Sequence, residues 1–116
     1  MNQPADLSRA ARAACKNADT LGIPAITCWE IALLAAYGRL LDRIDIRAWL
    51  NDAFAVRVNQ LLPLTPDIAA TAAMLPPAVG RDPADRLIVA TAIEHGVPLV
   101  TKDDRIRRAN VVETIW

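Results

Sequence analysis

Apolar residues recur along this chain with two different periods, and the alternation between them sets out the fold. From Leu7 they return at Ala11, Ala14, Cys15 and Ala18, one face of a helix, with Arg9, Arg12 and Lys16 outside and Ser8 or Asp6 as cap. Met1 to Ala5 carries no pattern and is expected to fray. Ile23 to Thr27 reads as a short strand, and Cys28-Trp29-Glu30-Ile31 leads into a helix closed by Gly38. Asp45 to Phe54 predicts a further helix with Ile46, Trp49, Leu50 and Phe54 inward, followed by a strand over Val58 to Leu64. Thr65-Pro66-Asp67 opens a helix that runs through Ile68 to Met74 before Pro76-Pro77 stops it.

The stretch Arg81-Asp82-Pro83-Ala84-Asp85-Arg86-Leu87-Ile88-Val89-Ala90-Thr91-Ala92 organises the rest. Asp82 fits an N-cap, Pro83 the first helical position, and Asp85 an acidic capping-box partner. Asp82 also stands four residues before Arg86, an ion pair worth about a few tenths of a kcal/mol. Leu87 to Ile93 is apolar except for Thr91, so the helix is buried around most of its circumference and ends at His95-Gly96. Pro98 to Thr101 and Val111 to Ile115 read as strands, with a helical turn over Asp104 to Arg108 between them.

Strands alternating with helices mean an α/β fold, a mostly parallel sheet covered on both faces, with chemistry gathered beyond the carboxyl ends of the strands. Glu30 falls in a helix first turn after a strand, Asp103 follows a strand directly, and Asp85 starts a helix. The helix dipole and capping give each acid a purely structural explanation. The functional one is a site for a hard divalent cation, because clustered carboxylates repel unless something cationic holds them together. Such a site suits phosphodiester hydrolysis, and Arg86 and Arg105 would stand close enough to meet phosphate.

Composition narrows the options. A chain of 116 residues is one domain, residues 1–116, and 53% hydrophobic with 22% charged residues is globular. Net charge is zero, so nucleic-acid binding needs a local basic patch, and Arg105, Arg107 and Arg108 form the one dense cluster. Cys15 and Cys28 have neither zinc nor redox spacing, which points to a reduced cytoplasm, and the apolar runs fall short of a membrane span. His95, the one histidine, reads as structural at a helix end, and Ser8, the one serine, reads as a cap. No glycine-rich phosphate loop is present. Trp29, Trp49 and Trp116 read as core or interface.

Three motifs in order, Thr27-Cys28-Trp29-Glu30-Ile31, Arg81 to Ala92, and Leu99-Val100-Thr101-Lys102-Asp103, resemble the PIN domain, in particular the VapC-type ribonuclease toxins of bacterial toxin-antitoxin pairs. The likeness spans nearly the whole chain. It implies a PIN-like three-layer α/β fold and a metal-dependent endoribonuclease using Mg²⁺ or Mn²⁺. It also implies a homodimer and a cognate antitoxin that occludes the acidic pocket. Carried over by motif, Glu30, Asp85 and Asp103 are the metal-site acids and Asp82 is their neighbour. Thr101 orients Asp103, and Asp104 ranks below Asp103 because the ligand falls two residues after the threonine.

One departure stands out. Family members begin with a central strand ending in Asp-Thr or Asp-Ser, the first metal ligand, and Met1-Asn2-Gln3-Pro4 resembles the segment that follows it. The expectation is a truncated member lacking that strand, dimeric or larger through strand exchange, with weak or no nuclease activity. A non-catalytic module for dimerisation or antitoxin binding is the alternative, and a structural domain whose acids are all caps is the third reading.

Overall fold

The computed structural model describes residues 7–38 and 45–116. Met1 to Ala5 and Asp6, the alternative cap, lie outside them. The described chain runs α1 (Arg9–Asn17), β1 (Leu21–Pro24), α2 (Ala25–Tyr37), α3 (Ile46–Ala55), β2 (Asn59–Leu62), α4 (Pro66–Met74), a 3-10 turn (Pro77–Val79), α5 (Pro83–His95), β3 (Leu99–Val100), α6 (Asp104–Ala109) and β4 (Thr114–Ile115).

Helix starts follow the caps written in the sequence. Ser8 Oγ accepts from the Ala11 N–H at 3.0 Å, Thr65 Oγ1 from Ile68 at 3.2 Å, and Asp45 Oδ1 from Arg47 and Ala48. Pro66 and Pro83 occupy first turns, where a missing N–H costs nothing. Gly96 ends α5 in the left-handed region at φ 63°, as its place after His95 leads one to expect.

The later strands are shorter than the sequence reading, Asn59–Leu62 within Val58 to Leu64 and Thr114–Ile115 within Val111 to Ile115, and one further boundary shift has consequences for the site. The strand expected over Ile23 to Thr27 occupies Leu21–Pro24, and Ala25-Ile26-Thr27 form the first turn of α2. The Leu21 N–H donates to the Val58 carbonyl at 2.7 Å, which seats the strand two residues early. Pro24 then closes it and serves as N-cap of α2. Tertiary pairing overrides the β preference of Ile26 and Thr27.

β1 runs parallel to β2, Leu21 opposite Asn59 through Pro24 opposite Leu62, and β3 runs parallel to β4, Leu99 opposite Thr114 and Val100 opposite Ile115. Instead of one sheet, the described strands make two parallel pairs, and no described strand joins β1 to β3.

The core gathers around α5. Ala90 packs with Ile68 and Ala72 of α4, while Val89 packs with Val79 and Ile106. Ala84, Val89, Ala90, Thr91 and Ala92 are all buried, in keeping with a helix covered around most of its girth. No residue of α2 or α3 is fully buried. Trp49, expected inward, lies 36% exposed at the edge of α3, and Trp29 at 56% is on the surface and not in the core.

Candidate active site

Glu30 is the sixth residue of α2, so it stands in the second turn, not the first. This shift matters because helix-dipole stabilisation falls off within the first turn and cannot account for an acid there. Asp82 is the N-cap of α5, and its Oδ1 accepts from the Asp85 N–H at 3.0 Å. The reciprocal capping-box bond is missing. Among the described residues the carboxylates of Glu30 and Asp85 make neither a hydrogen bond nor an ion pair, so capping leaves both unexplained.

Asp103 follows β3 and caps α6. Its Oδ1 accepts from the N–H groups of Arg105 at 2.9 Å and Ile106 at 3.2 Å, while Thr101 Oγ1 accepts from the Asp103 N–H at 3.1 Å. The threonine therefore sets the backbone that sets the acid. Asp104 points to solvent with a side chain 79% exposed, 3.9 Å from Arg107 in a pair worth little.

The acids interact electrostatically across elements. The Glu30 carboxyl is raised above its ordinary value by burial first, then by Asp85 and Asp82. Asp85 is raised by burial, then by Asp82 and Asp103, with Arg105 opposing. Asp85 is thus the hub, facing like charge from α2, from its own cap and from the β3–α6 junction. Among the described residues, however, no three His, Cys, Asp or Glu side chains close tightly enough around one point to surround an ion.

The two arginines part company. Arg86 donates Nε to the Ala72 carbonyl at 3.0 Å, Nη1 to Gly80 at 2.8 Å, and Nη2 to Leu75 at 2.5 Å and Ala73 at 3.4 Å. Its guanidinium is thus a strut that ties the end of α4 to the turn before α5. Arg105 lies over Gly80, where an added Cβ would come within 2.7 Å of Nη1. Gly80 is buried at φ +100°, so the position needs glycine for both backbone and space. This positioning role went unread in the sequence, where the signal was a glycine directly before Arg-Asp-Pro. His95 is exposed in the last turn of α5.

The carboxyl ends of β1 and β3 therefore both lead to one group of acids, an arrangement whose order along the chain can be compared with known proteins. The PIN domain family matches residues 3–112. This chain is a VapC-like PIN domain. Ribonuclease VapC22 of Mycobacterium tuberculosis is 48% identical to it over 116 residues, which cover 98% of this chain and 88% of that protein. No solved structure matches the chain.

Proteins of the PIN family depend on a divalent metal, and the donor chemistry here fits one. The donors are carboxylate oxygens alone, the hard ligands that such cations prefer, and the two most coupled carboxylates lack any competing partner. No helix of the described PIN domain is long and apolar enough to cross a membrane.

Proposed function

We propose that this PIN domain is an endoribonuclease of the VapC toxin type, hydrolysing RNA phosphodiester bonds with Mg²⁺ or Mn²⁺ held by Glu30, Asp85 and Asp103. The observation that carries the reading is the approach of acids from α2, the start of α5 and the β3–α6 junction to Asp85, whose carboxyl is raised by burial first and then by Asp82 and Asp103, a state that a bound cation would relieve. When bound, a divalent metal would lower the pKa of an attacking water and stabilise the leaving oxygen.

The chain's own residues supply the setting. Asp82 and Asp103 hold the starts of α5 and α6 through backbone N–H groups, which fixes Asp85 and the free Oδ2 of Asp103. Thr101 keeps Asp103 in register. Arg105, seated over Gly80, is the cation whose charge opposes the rise at Asp85, and in this reading it receives a phosphate of the RNA backbone. The proposed partners are an RNA substrate, an antitoxin protein that covers the acidic pocket, and a second copy of the chain in a homodimer, all in the cytoplasm.

Cleavage of labelled RNA with Mg²⁺ or Mn²⁺, lost in EDTA and in each of Glu30→Gln, Asp85→Asn and Asp103→Asn, is the expected result. Cleavage that survives all three substitutions refutes the assignment. The second reading, a non-catalytic module for dimerisation or antitoxin binding, draws on the looseness of the acid group noted above. It predicts no cleavage with either metal.

A further inference from the structure

Two arginines stand beside the acids, and they use their donors in opposite ways. Arg86 directs its guanidinium at backbone carbonyls, those of Ala72, Ala73, Leu75 and Gly80. Among the described residues the Arg105 guanidinium makes neither a hydrogen bond nor an ion pair, although its charge bears on Asp85. A side chain so long, exposed and unpaired would ordinarily sample many rotamers, and ordering it on a ligand costs entropy.

What holds Arg105 is Gly80. A Cβ at that position would lie 2.7 Å from Arg105 Nη1, 3.1 Å from Cδ and 3.7 Å from Cζ. The arm from Cδ to its terminal nitrogen therefore lies along the glycine, in space that any other residue would fill. Gly80 is itself fixed at both backbone groups: its N–H donates to the Pro77 carbonyl at 2.9 Å, and its carbonyl accepts from Arg86 Nη1 at 2.8 Å. With φ 100° and ψ 179° it occupies a region that only glycine enters without strain.

Packing beneath keeps the two halves in register. Val79 and Ile106, the chain neighbours of Gly80 and Arg105, share one buried cluster with Val89. The Arg105 backbone is anchored as well, its N–H donating to Asp103 Oδ1 at 2.9 Å. One end of the residue is thus tied to an acid of the site and the other rests on the turn.

We propose that Gly80 and Arg86 are positioning residues for RNA, forming a cradle that orders the Arg105 guanidinium before a backbone phosphate arrives. This cradle presupposes the ribonuclease reading above and adds to it how the phosphate contact is prepared. Gly80 supplies the space and Arg86 the rigidity, and neither touches the RNA. The guanidinium fork of Arg105 then takes two phosphate oxygens at once, with its entropy already lost in the free protein.

The test counts phosphate contacts. Binding of a fluorescein-labelled single-stranded RNA to the full chain, in EDTA, is followed by anisotropy from about 50 to about 200 mM NaCl. Each phosphate neutralised on a single strand contributes about 0.7 to the slope of log affinity against log salt. Arg105→Ala should lower that slope by about 0.7 and weaken binding about tenfold. Gly80→Ala should reproduce both losses, although it changes no charge, and the double variant should lose no more than either. Arg86→Lys, which keeps the charge but not the fork, should fall between Gly80→Ala and the parent. Thr65→Ala removes the cap of α4 and also lowers stability, yet should keep the parent's slope.

Gly80→Ala and Arg86→Lys at the parent's slope, with Arg105→Ala below it, would reduce the cradle to a matter of stability and overturn the proposal while the ribonuclease reading stands. Additive losses in the double variant would overturn it too, as would Arg105→Ala binding like the parent. A parent that binds no RNA removes the cradle and the reading together.

Discussion

Replacing Asp85 by asparagine should stabilise the metal-free protein and destroy the stabilisation that metal confers. Asp85 faces Asp82 and Asp103, and a like-charge pair at helical spacing costs about 0.2–0.5 kcal/mol. The helix dipole and Arg105 oppose this, yet the carboxyl stays above its ordinary value, so burial and repulsion prevail. The group is half-buried and solvent still screens it in part, which leaves a net gain of about 0.5 kcal/mol. In a domain of this size that is about 2–4 °C in Tm. Asparagine keeps the shape, and the bond to Asp82 Oδ1 draws only on the backbone N–H of residue 85, so the substitution leaves it in place.

Thermal melts by circular dichroism, run in EDTA and again with excess Mn²⁺, make the assay. The variant should melt above the parent in EDTA and below it in metal, because the parent gains about 2.7 kcal/mol at a hundredfold excess over Kd. Higher salt should shrink the first difference. A variant that melts below the parent in EDTA, or gains as much from Mn²⁺, refutes the coupling of Asp85 to its neighbours as the basis of the site.

Further outcomes follow from the same contacts. Glu30 and Asp85 titrate above their ordinary values, so the folded state holds their protons more tightly than the unfolded one. Their penalty is full above the folded pKa and vanishes below the ordinary one, so urea midpoints in EDTA should rise as pH falls from neutral into the upper carboxylate range, and Glu30→Gln with Asp85→Asn should flatten that rise. Arg86→Met leaves the carbonyls of Ala72, Gly80 and Leu75 without their donor and should cost about 2–3 kcal/mol by urea denaturation, with Arg86→Lys restoring only part. Gly80→Ala, forced to positive φ and against Arg105, should cost about 1–3 kcal/mol in the same measurement. Thr101→Val should lower RNA cleavage and Mn²⁺ affinity together, with Thr101→Ser recovering both, since what it removes is the acceptor for the Asp103 N–H.

What could be read from the sequence was local. Thr65-Pro66, Asp82-Pro83 and His95-Gly96 mark helix ends by chemistry that acts within one turn, and α4 and α5 lie where those marks put them. The acids Asp85 and Asp103 were likewise placed by helix starts. Glu30 was put one turn too early, because the start of α2 depends on where β1 pairs with β2, a contact between residues far apart in the chain. The strut made by Arg86 was out of reach for a similar reason, since the carbonyls it binds come from residues the fold brings around it. The division of the strands into two pairs has no local signature at all.

That both clusters of buried side chains lie around α5 has a consequence for cooperativity. Apart from Ala11 in α1, every fully buried apolar residue among those described belongs to α4, α5, α6 or the turn before α5, while β1, α2, α3 and β2 contribute none. Free energy is therefore unevenly distributed, and the amino-terminal half should open on its own well below the global unfolding energy. Amide exchange ought to show slow protons in α5 and fast ones in α2 and α3. Glu30 rides on the labile half and Asp85 and Asp103 on the firm one, so each local opening would take the acidic group apart and each closing would rebuild it.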